Sequence, residues 1–531
     1  MQEFDYVIVG GGSAGSVLAG RLSEDSAIRV CLLEAGGRGD SQVVKVPMGM
    51  VAMMPTTLNN WAFDTLPQPG LNGRIGYQPR GRMLGGSSGS NAMVYIRGHR
   101  WDYDHWAAQG NPGWSYADLL PYFKRSEHNE TLHDEWHGQG GPLNVAELRS
   151  DNPFQGYYLD AARQAGFPLI RDFNGAEQEG VGIYQVTQKG GERWSSARAY
   201  LHPHMQRPNL TVITGARGRR VLFEGTRATA VEYSCGGRVE QVAARREVLL
   251  CAGAFQSPQL LMLSGVGDSE QLREVGIEPL HHLPGVGQNL QDHPDFVFVY
   301  KARDYGLFGL SLGGSLRMLK EFWRYITGRR GMLTSNVAEG GAFLKTDPSL
   351  PAPDVQLHFA TALVVNHART LIPGHGYSCH VCLLRPKSRG SVKLRSADPE
   401  DAPLIDPNFF GEPEDLEVLV KGFKLTRQIM DAPALASRRH TELFTAQVHS
   451  DEQIRQVLRE RSDSVYHPIG TCKMGSDPLA VVDAELRVHG LQGLRVVDAS
   501  IMPSLIGGNT NAPTIMLAEK AVDLIRARRI A

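Results

Sequence analysis

Three glycines, Gly10, Gly12 and Gly15, stand in G-x-G-x-x-G spacing and are followed downstream by an acid, Glu34. These residue types can hold the pyrophosphate and ribose of a dinucleotide. Gly10 permits a tight turn, Gly12 lets a pyrophosphate approach the backbone, and Gly15 allows a helix to pack closely on a strand. The first N–H groups beyond the turn, at Ser13 and Ala14, then face the phosphates at the positive end of that helix. The Glu34 carboxylate, followed by Ala35, is placed to accept ribose hydroxyls and would repel a 2′-phosphate, which favours FAD or NAD over NADP.

The elements that must position these residues are legible around them. A β-rich run at 6–9 enters the turn, a helical run at 16–22 leaves it, and a second β-like run at 29–33 ends at Glu34. A second glycine-rich cluster, residues 81–91, carries four glycines and three serines between apolar flanks. It can bring N–H and hydroxyl donors against a cofactor. Further buried-strand candidates lie at 210–213, 221–223 and 246–252, the last ending at Gly253, and another at 494–497 ends in Asp498-Ala499. From about 296 to 465 the pattern changes to strand-like runs at 355–359, 378–384 and 391–394. A helix candidate at 514–528 closes the chain.

The chain has 531 residues, 42% hydrophobic and 21% charged, with a net charge of −1 and no acidic or basic tail. Nothing in this balance suggests a nucleic-acid partner. There is no basic n-region with an apolar h-region at the start, and no apolar run approaches about 18 residues, so a cytoplasmic location is expected. The six cysteines are widely spread, which fits reduced thiols packed as small apolar groups. The one close pair, Cys379 and Cys382, lies in a β-like run, where residues three apart point to opposite faces. With no second pair and no other His/Cys/Asp spacing, no metal is expected. Ser87, Ser88 and Ser90 lack the G-x-S-x-G setting of a hydrolase nucleophile.

Taken together, the motifs resemble those of the glucose-methanol-choline (GMC) oxidoreductases, especially the bacterial alcohol, choline and sorbose dehydrogenase branch. Residues 81–98 match the family's first signature and 253–267 its second. Residues 285–293, the segment Tyr466-His467-Pro468 and the segment 508–514 complete the set in the family's order. The resemblance implies an α/β fold, α+β in its second part, with a Rossmann-like FAD-binding domain interleaved with a substrate domain on an antiparallel sheet. The expected cofactor domain is 1–150, 195–295 and 466–531, and the substrate domain 151–194 and 296–465. Besides the residues of the glycine turn, the implied cofactor contacts are Trp61, Arg82, Leu84, Gly86, Ser87, Ser90, Asn91, Met93, Val94, Gly218, Ala252, Gly253, Asp498, Ala499, Asn509, Thr510, Pro513 and Thr514. Members that attach FAD covalently carry a histidine just before the asparagine of the first signature; Ser90 stands there, so FAD is expected to be non-covalent.

The implied reaction is oxidation of an alcohol. His467 matches the family's base for the hydroxyl proton and Asn511 its hydrogen-bonding partner for the substrate oxygen. His282, His293 and His489 keep a structural reading, although His293 adjoins the cofactor segment. The preferred substrate is a neutral primary alcohol, because residues 360–367 carry few charges and no aromatic cage or anionic site marks a choline pocket. The expected acceptor is a quinone. Alternatives are an oxidase forming hydrogen peroxide, a polyol, sorbose or choline dehydrogenase, and a redox-neutral hydroxynitrile lyase.

One amphipathic helix candidate, 315–327, has Leu316, Leu319, Trp323 and Ile326 on one face, with Arg317, Lys320, Arg324, Arg329 and Arg330 elsewhere. Its ordinary reading packs the apolar stripe beneath the substrate sheet. Its sharper reading lays the helix on an anionic membrane, with the loop 306–314 as a mobile rim.

Overall fold

The computed structural model describes residues 1–527, the side chain of His367 apart. Strand β1 (Gln2–Val9) runs into the glycine turn, helix α1 (Ser13–Leu22) leaves it, and β2 (Val30–Glu34) returns beside β1 in parallel. From Tyr6 to Val9 and from Val30 to Leu33 the strands are apolar without alternation and buried on both faces. Gly10 adopts φ +103°, and a Cβ on Gly15 would lie 1.9 Å from the Gly10 carbonyl oxygen. Helix and strand therefore meet at a distance that only glycine allows.

β3 (Leu210–Thr214) extends this sheet beyond β2, and a meander of β4 (Ala216–Glu224), β5 (Arg227–Cys235) and β6 (Arg238–Leu250) supplies the other side. The order is β3-β2-β1-β6-β5-β4, with Leu494–Val496 parallel to the inner end of β6. Val248 to Leu250 of β6 lie opposite Val7 to Val9 of β1, so the chain after β6, entering α2 (Gly253–Leu263), emerges beside the glycine turn.

A second, eight-stranded sheet is antiparallel throughout. Its central strands are β7 (Pro294–Ala302), β8 (Ala338–Leu344), β9 (Val355–Ala360) and β10 (Gly374–Leu383), flanked by Gly180–Ile183 and Arg439–Leu443. The two-residue period of the strands sorts its faces. Phe296, Phe298, Leu357, Phe359, Cys379 and Val381 pack into one core with the helix Phe154–Gln164 and with Leu419 and Phe423. Asp295, Val297, His358 and His380 look to the other side, onto a cavity. Cys379 and Cys382 fall into different clusters, as their spacing requires, and all six thiols are free.

Helix α3 (Leu312–Gly328) covers the amphipathic candidate, but its orientation corrects the ordinary reading. Leu316, Leu319, Trp323 and Ile326 are exposed, while Gly314, Glu321 and Tyr325 face the protein. Arg324 and Arg330 pair with Asp151, and Arg329 with Glu192, so the cations are anchored where the apolar side chains are not. The rim before α3 is held by a short strand, Gly309–Leu310, paired with β10. Downstream, α4 (Pro413–Met430) backs the second sheet, and α5 (Asn511–Ala527) closes the described chain. It starts three residues before the expected helix; Arg528, the last residue of that expectation, lies outside the described residues.

Candidate active site

One cavity of about 690 Å³ runs from the glycine turn and Glu34 to the exposed face of the second sheet. All the cofactor residues assigned from the sequence line it except Gly15, Arg82, Leu84 and Pro513. These four stand outside its lining. Gly15 is pressed against Gly10, Leu84 is fully buried against Gly11, and Pro513 is buried within the first turn of α5. The Arg82 guanidinium lies 4.5 Å from the Trp61 ring centroid, and Arg217 lies 5.1 Å from the same ring. Arg217 lines the cavity and pairs with Glu400 at 2.7 Å. It sits in no motif, so only the meander register brings it here.

The glycine end fits a dinucleotide. The two signature turns pack against each other, since a Cβ on Gly86 would lie 2.7 Å from the Gly12 Cα, and both glycines line the cavity. Glu34 accepts the Gly11 and Gly36 N–H groups at 2.8 and 2.7 Å, one on each carboxylate oxygen. Each oxygen keeps a second lone pair for a ribose hydroxyl. Burial pushes this carboxyl up to about 7, against the pull of those two N–H groups and of Arg82. Asp498 fastens the neighbouring turn by accepting Gly253 N–H at 2.9 Å and the Ser257 hydroxyl at 2.5 Å.

At the other end stands a pair of histidines. Asp292 is their frame: one oxygen accepts the His293 and His467 backbone N–H groups at 2.9 and 2.7 Å, the other the Ser464 hydroxyl and the Gln78 amide. Tyr466, immediately before His467, holds φ +68°, and Met93 and Val337 on the same cavity wall are also left-handed. Such backbone survives where surrounding contacts over-determine it.

The tautomers follow from the partners. His293 Nε2 lies 3.1 Å from the Leu384 carbonyl, which only accepts, so Nε2 carries the proton and Nδ1 is bare. That Nδ1 is 2.9 Å from His467 Nδ1, which must therefore donate, leaving His467 Nε2 as an acceptor. Asn509 Nδ2 approaches this lone pair at 3.3 Å. Burial drives His293 down to about 3, and burial, together with His293, His358 and Arg80, holds His467 well below the usual imidazole range. Both rings are neutral at ordinary pH, and His467 Nε2 is a free base. His293, read from the sequence as structural, here accepts the His467 Nδ1 proton.

Asn511, at the start of α5, accepts the Ser13 hydroxyl on its amide oxygen at 2.9 Å, which leaves its NH₂ group as the donor for the cavity. Asn509, rather than Asn511, is the asparagine beside His467 here. The opposite wall holds residues the sequence reading missed: His358, lowered to about 3 by burial, and Asp295, which pairs with His380 at 2.6 Å. Strand alternation was the available signal, since each stands between residues buried on the far face.

Among the described residues, one grouping has metal-like spacing, Asp134, His137 and Asp172. His137 Nδ1 meets Glu127 at 3.1 Å and Nε2 meets Asp172 at 3.0 Å. Burial opposes its charge, but these two hydrogen bonds raise the ring to about 9. A ring donating from both nitrogens is a cation and offers no lone pair to a metal.

The GMC oxidoreductase family model matches residues 4–295 with its N-terminal part and 386–518 with its C-terminal part. The chain is 48% identical to an alcohol dehydrogenase [acceptor] of Pseudomonas putida, over 98% of this chain and 95% of that protein. It is 46% identical to the mitochondrial choline dehydrogenase of Homo sapiens, over 99% of this chain and 90% of the other. Pyridoxine 4-oxidase from Mesorbium loti superposes with a TM-score of 0.89 at 33% identity, covering 99% of both chains. The chain belongs to the GMC oxidoreductase family and is an FAD-dependent oxidoreductase acting on CH–OH donors.

Proposed function

We propose that the protein oxidises a neutral primary alcohol to the aldehyde, with His467 as general base and Asn511 as donor to the substrate oxygen. The observation that carries this reading is the relay Leu384–His293–His467, which fixes the proton on His467 Nδ1 and turns the bare Nε2 to the cavity. The substrate hydroxyl takes the place of the Asn509 amide and donates to Nε2. A histidine kept neutral in this way is ready to accept that proton without first losing one of its own. The Asn511 NH₂ then hydrogen-bonds the oxygen as negative charge grows on it.

The residues that would hold FAD are the glycine turn, Glu34 and the first signature around Gly86 and Ser90. Bound there, FAD supplies the acceptor for the carbinol hydride. Nothing in Ser90 can form a histidyl bond to it. The cofactor part is assigned to 1–150, 195–295 and 466–531 and the substrate part to 151–194 and 296–465, supported by the separate sheets and cores.

A neutral substrate is favoured by the aliphatic wall of Val297, Val337, Ala338, Ala360, Val364 and Val365, and by the pairing of Asp295 with His380. The second reading, a choline-type substrate, rests on Asp295, a buried carboxylate on the cavity wall opposite His467. A quinone is the acceptor in this reading, and the working location is the cytoplasm or the adjoining membrane face. An anaerobic panel of alcohols and choline, read at the flavin absorbance band, separates the substrates, and hydrogen peroxide yield in air separates oxidase from dehydrogenase. In the same assay His467→Ala should retain FAD and slow reduction about 10²–10⁴-fold; a wild-type rate in that variant removes the base from His467.

A further inference from the structure

α3 presents its apolar side to solvent. Leu312, Leu316, Leu319, Trp323 and Ile326 recur at helical spacing and are 52–89% exposed. Its inward side is made instead of Gly314, Glu321 and Tyr325. This inverts the usual arrangement of a surface helix, whose apolar stripe faces the core. Leu310 before the helix is 51% exposed and bridges to Pro373, two residues after Leu371, which is 73% exposed. A contiguous apolar surface of this kind marks an interaction site.

The charges select the occupant. No carboxylate of α3 faces outward: Glu321 is 2% exposed and accepts Arg324 and the Met332 N–H. Arg317 and Lys320 flank the outward stripe, and Arg369 is exposed on the loop near Leu371. Apolar side chains that include a tryptophan, bordered by cations without outward acids, match the chemistry of an anionic bilayer surface. A second copy of the chain fits poorly, because two such faces would bring their own cations together. Spanning is also excluded: among the described residues no helix is long and apolar enough to cross a membrane.

We propose that this face docks on anionic lipid, with α3 lying in the plane of the headgroups and its leucines and Trp323 inserted. The loop 361–373 links the face to the cavity, since Val364 and Val365 line the cavity while Leu371 belongs to the patch. Docking would thus set a cavity-wall loop against the region where apolar alcohols and lipid-soluble acceptors concentrate. That consequence rests on the proposed substrate and acceptor; the docking itself does not.

The test is co-sedimentation of the holoenzyme with vesicles of phosphatidylcholine alone or mixed with phosphatidylglycerol. Wild type should pellet with the mixed vesicles, less with phosphatidylcholine, and only partly release at high salt, because apolar insertion is not screened. The triple variant Leu316→Ser, Leu319→Ser, Trp323→Ser changes only exposed side chains. It should lose at least about tenfold in bound fraction while keeping its turnover of a soluble alcohol and dye. Arg317→Glu with Lys320→Glu should abolish the preference for phosphatidylglycerol. Wild type remaining in the supernatant at low salt, or the triple variant pelleting equally, overturns the proposal. A dimer that the triple variant dissolves, without vesicle binding by wild type, overturns it in favour of a second copy.

Discussion

Replacing His293 tests whether the base is set by its neighbour. In the structure His293 Nδ1 is the acceptor for the His467 Nδ1 proton, and the His293 ring is wholly buried. His293→Leu keeps an apolar side chain of similar bulk but removes that acceptor. The proton on His467 Nδ1 then faces carbon, and leaving a buried donor unpaired costs about 1–3 kcal/mol. His467 escapes the cost by moving its proton to Nε2, where Asn509 can turn its carbonyl to accept it, and the nitrogen that should take the hydroxyl proton is then occupied. At about 1.4 kcal/mol per tenfold, the base-competent tautomer falls roughly 10- to 100-fold, and flavin reduction by alcohol falls with it. His293→Asn distinguishes this from a packing defect. An asparagine Oδ1 occupies nearly the position of a histidine Nδ1 and accepts a hydrogen bond, so this variant should recover most of the rate. The assay is anaerobic stopped-flow reduction at saturating alcohol, with FAD content measured for each variant. A Leu variant that binds FAD fully and is reduced at the wild-type rate would refute the reasoning, as would Leu and Asn variants that are slowed equally.

Denaturation by acid or heat should release all the FAD, because Ser90 offers no covalent attachment; flavin absorbance left on the precipitated polypeptide counts against this. Asn511→Ala should slow reduction less than His467→Ala does, since water can replace one hydrogen bond to the substrate oxygen; parallel single-turnover measurements decide the order. His137 is raised to about 9 in the fold from the ordinary imidazole 6.5, so its stabilisation is full below about pH 6.5 and is lost as pH rises through about 9. The difference in urea midpoint between wild type and His137→Gln should therefore be largest near pH 6 and shrink towards pH 10, and a difference independent of pH would contradict the cationic ring.

What the sequence shows depends on whether a residue acts through its neighbours along the chain or through contacts made across the fold. The glycine turn is local: the φ of Gly10, the contact of Gly15 and the position of Glu34 are all set within β1, α1 and β2, and spacing alone gives them away. The pairing of His467 with Asn509 and the attachment of Asn511 to Ser13 join distant segments, and only a match of whole motifs placed these residues together. Arg82 adds a detail that the motif does not carry, because its guanidinium settles over the Trp61 ring. His293 was named within a motif and read only as structural, since the tautomer it fixes depends on Leu384, 91 positions away.

The second sheet was legible as strands but not as faces. Alternation in a two-sided strand marks two sets of residues without saying which faces the core, and the assignment of His358 and His380 to the cavity came from the aromatic packing on their neighbours' side. α3 carries the same ambiguity further. Its apolar stripe was plain in the sequence, yet periodicity cannot tell a face that is buried from one that is displayed. The deciding residues lay on the polar side: Glu321 is enclosed with Arg324 and the Met332 N–H, and Asp151 and Glu192 draw Arg330 and Arg329 inward. Once those charges are satisfied against the protein, the helix has no rotation left that could bury its leucines as well.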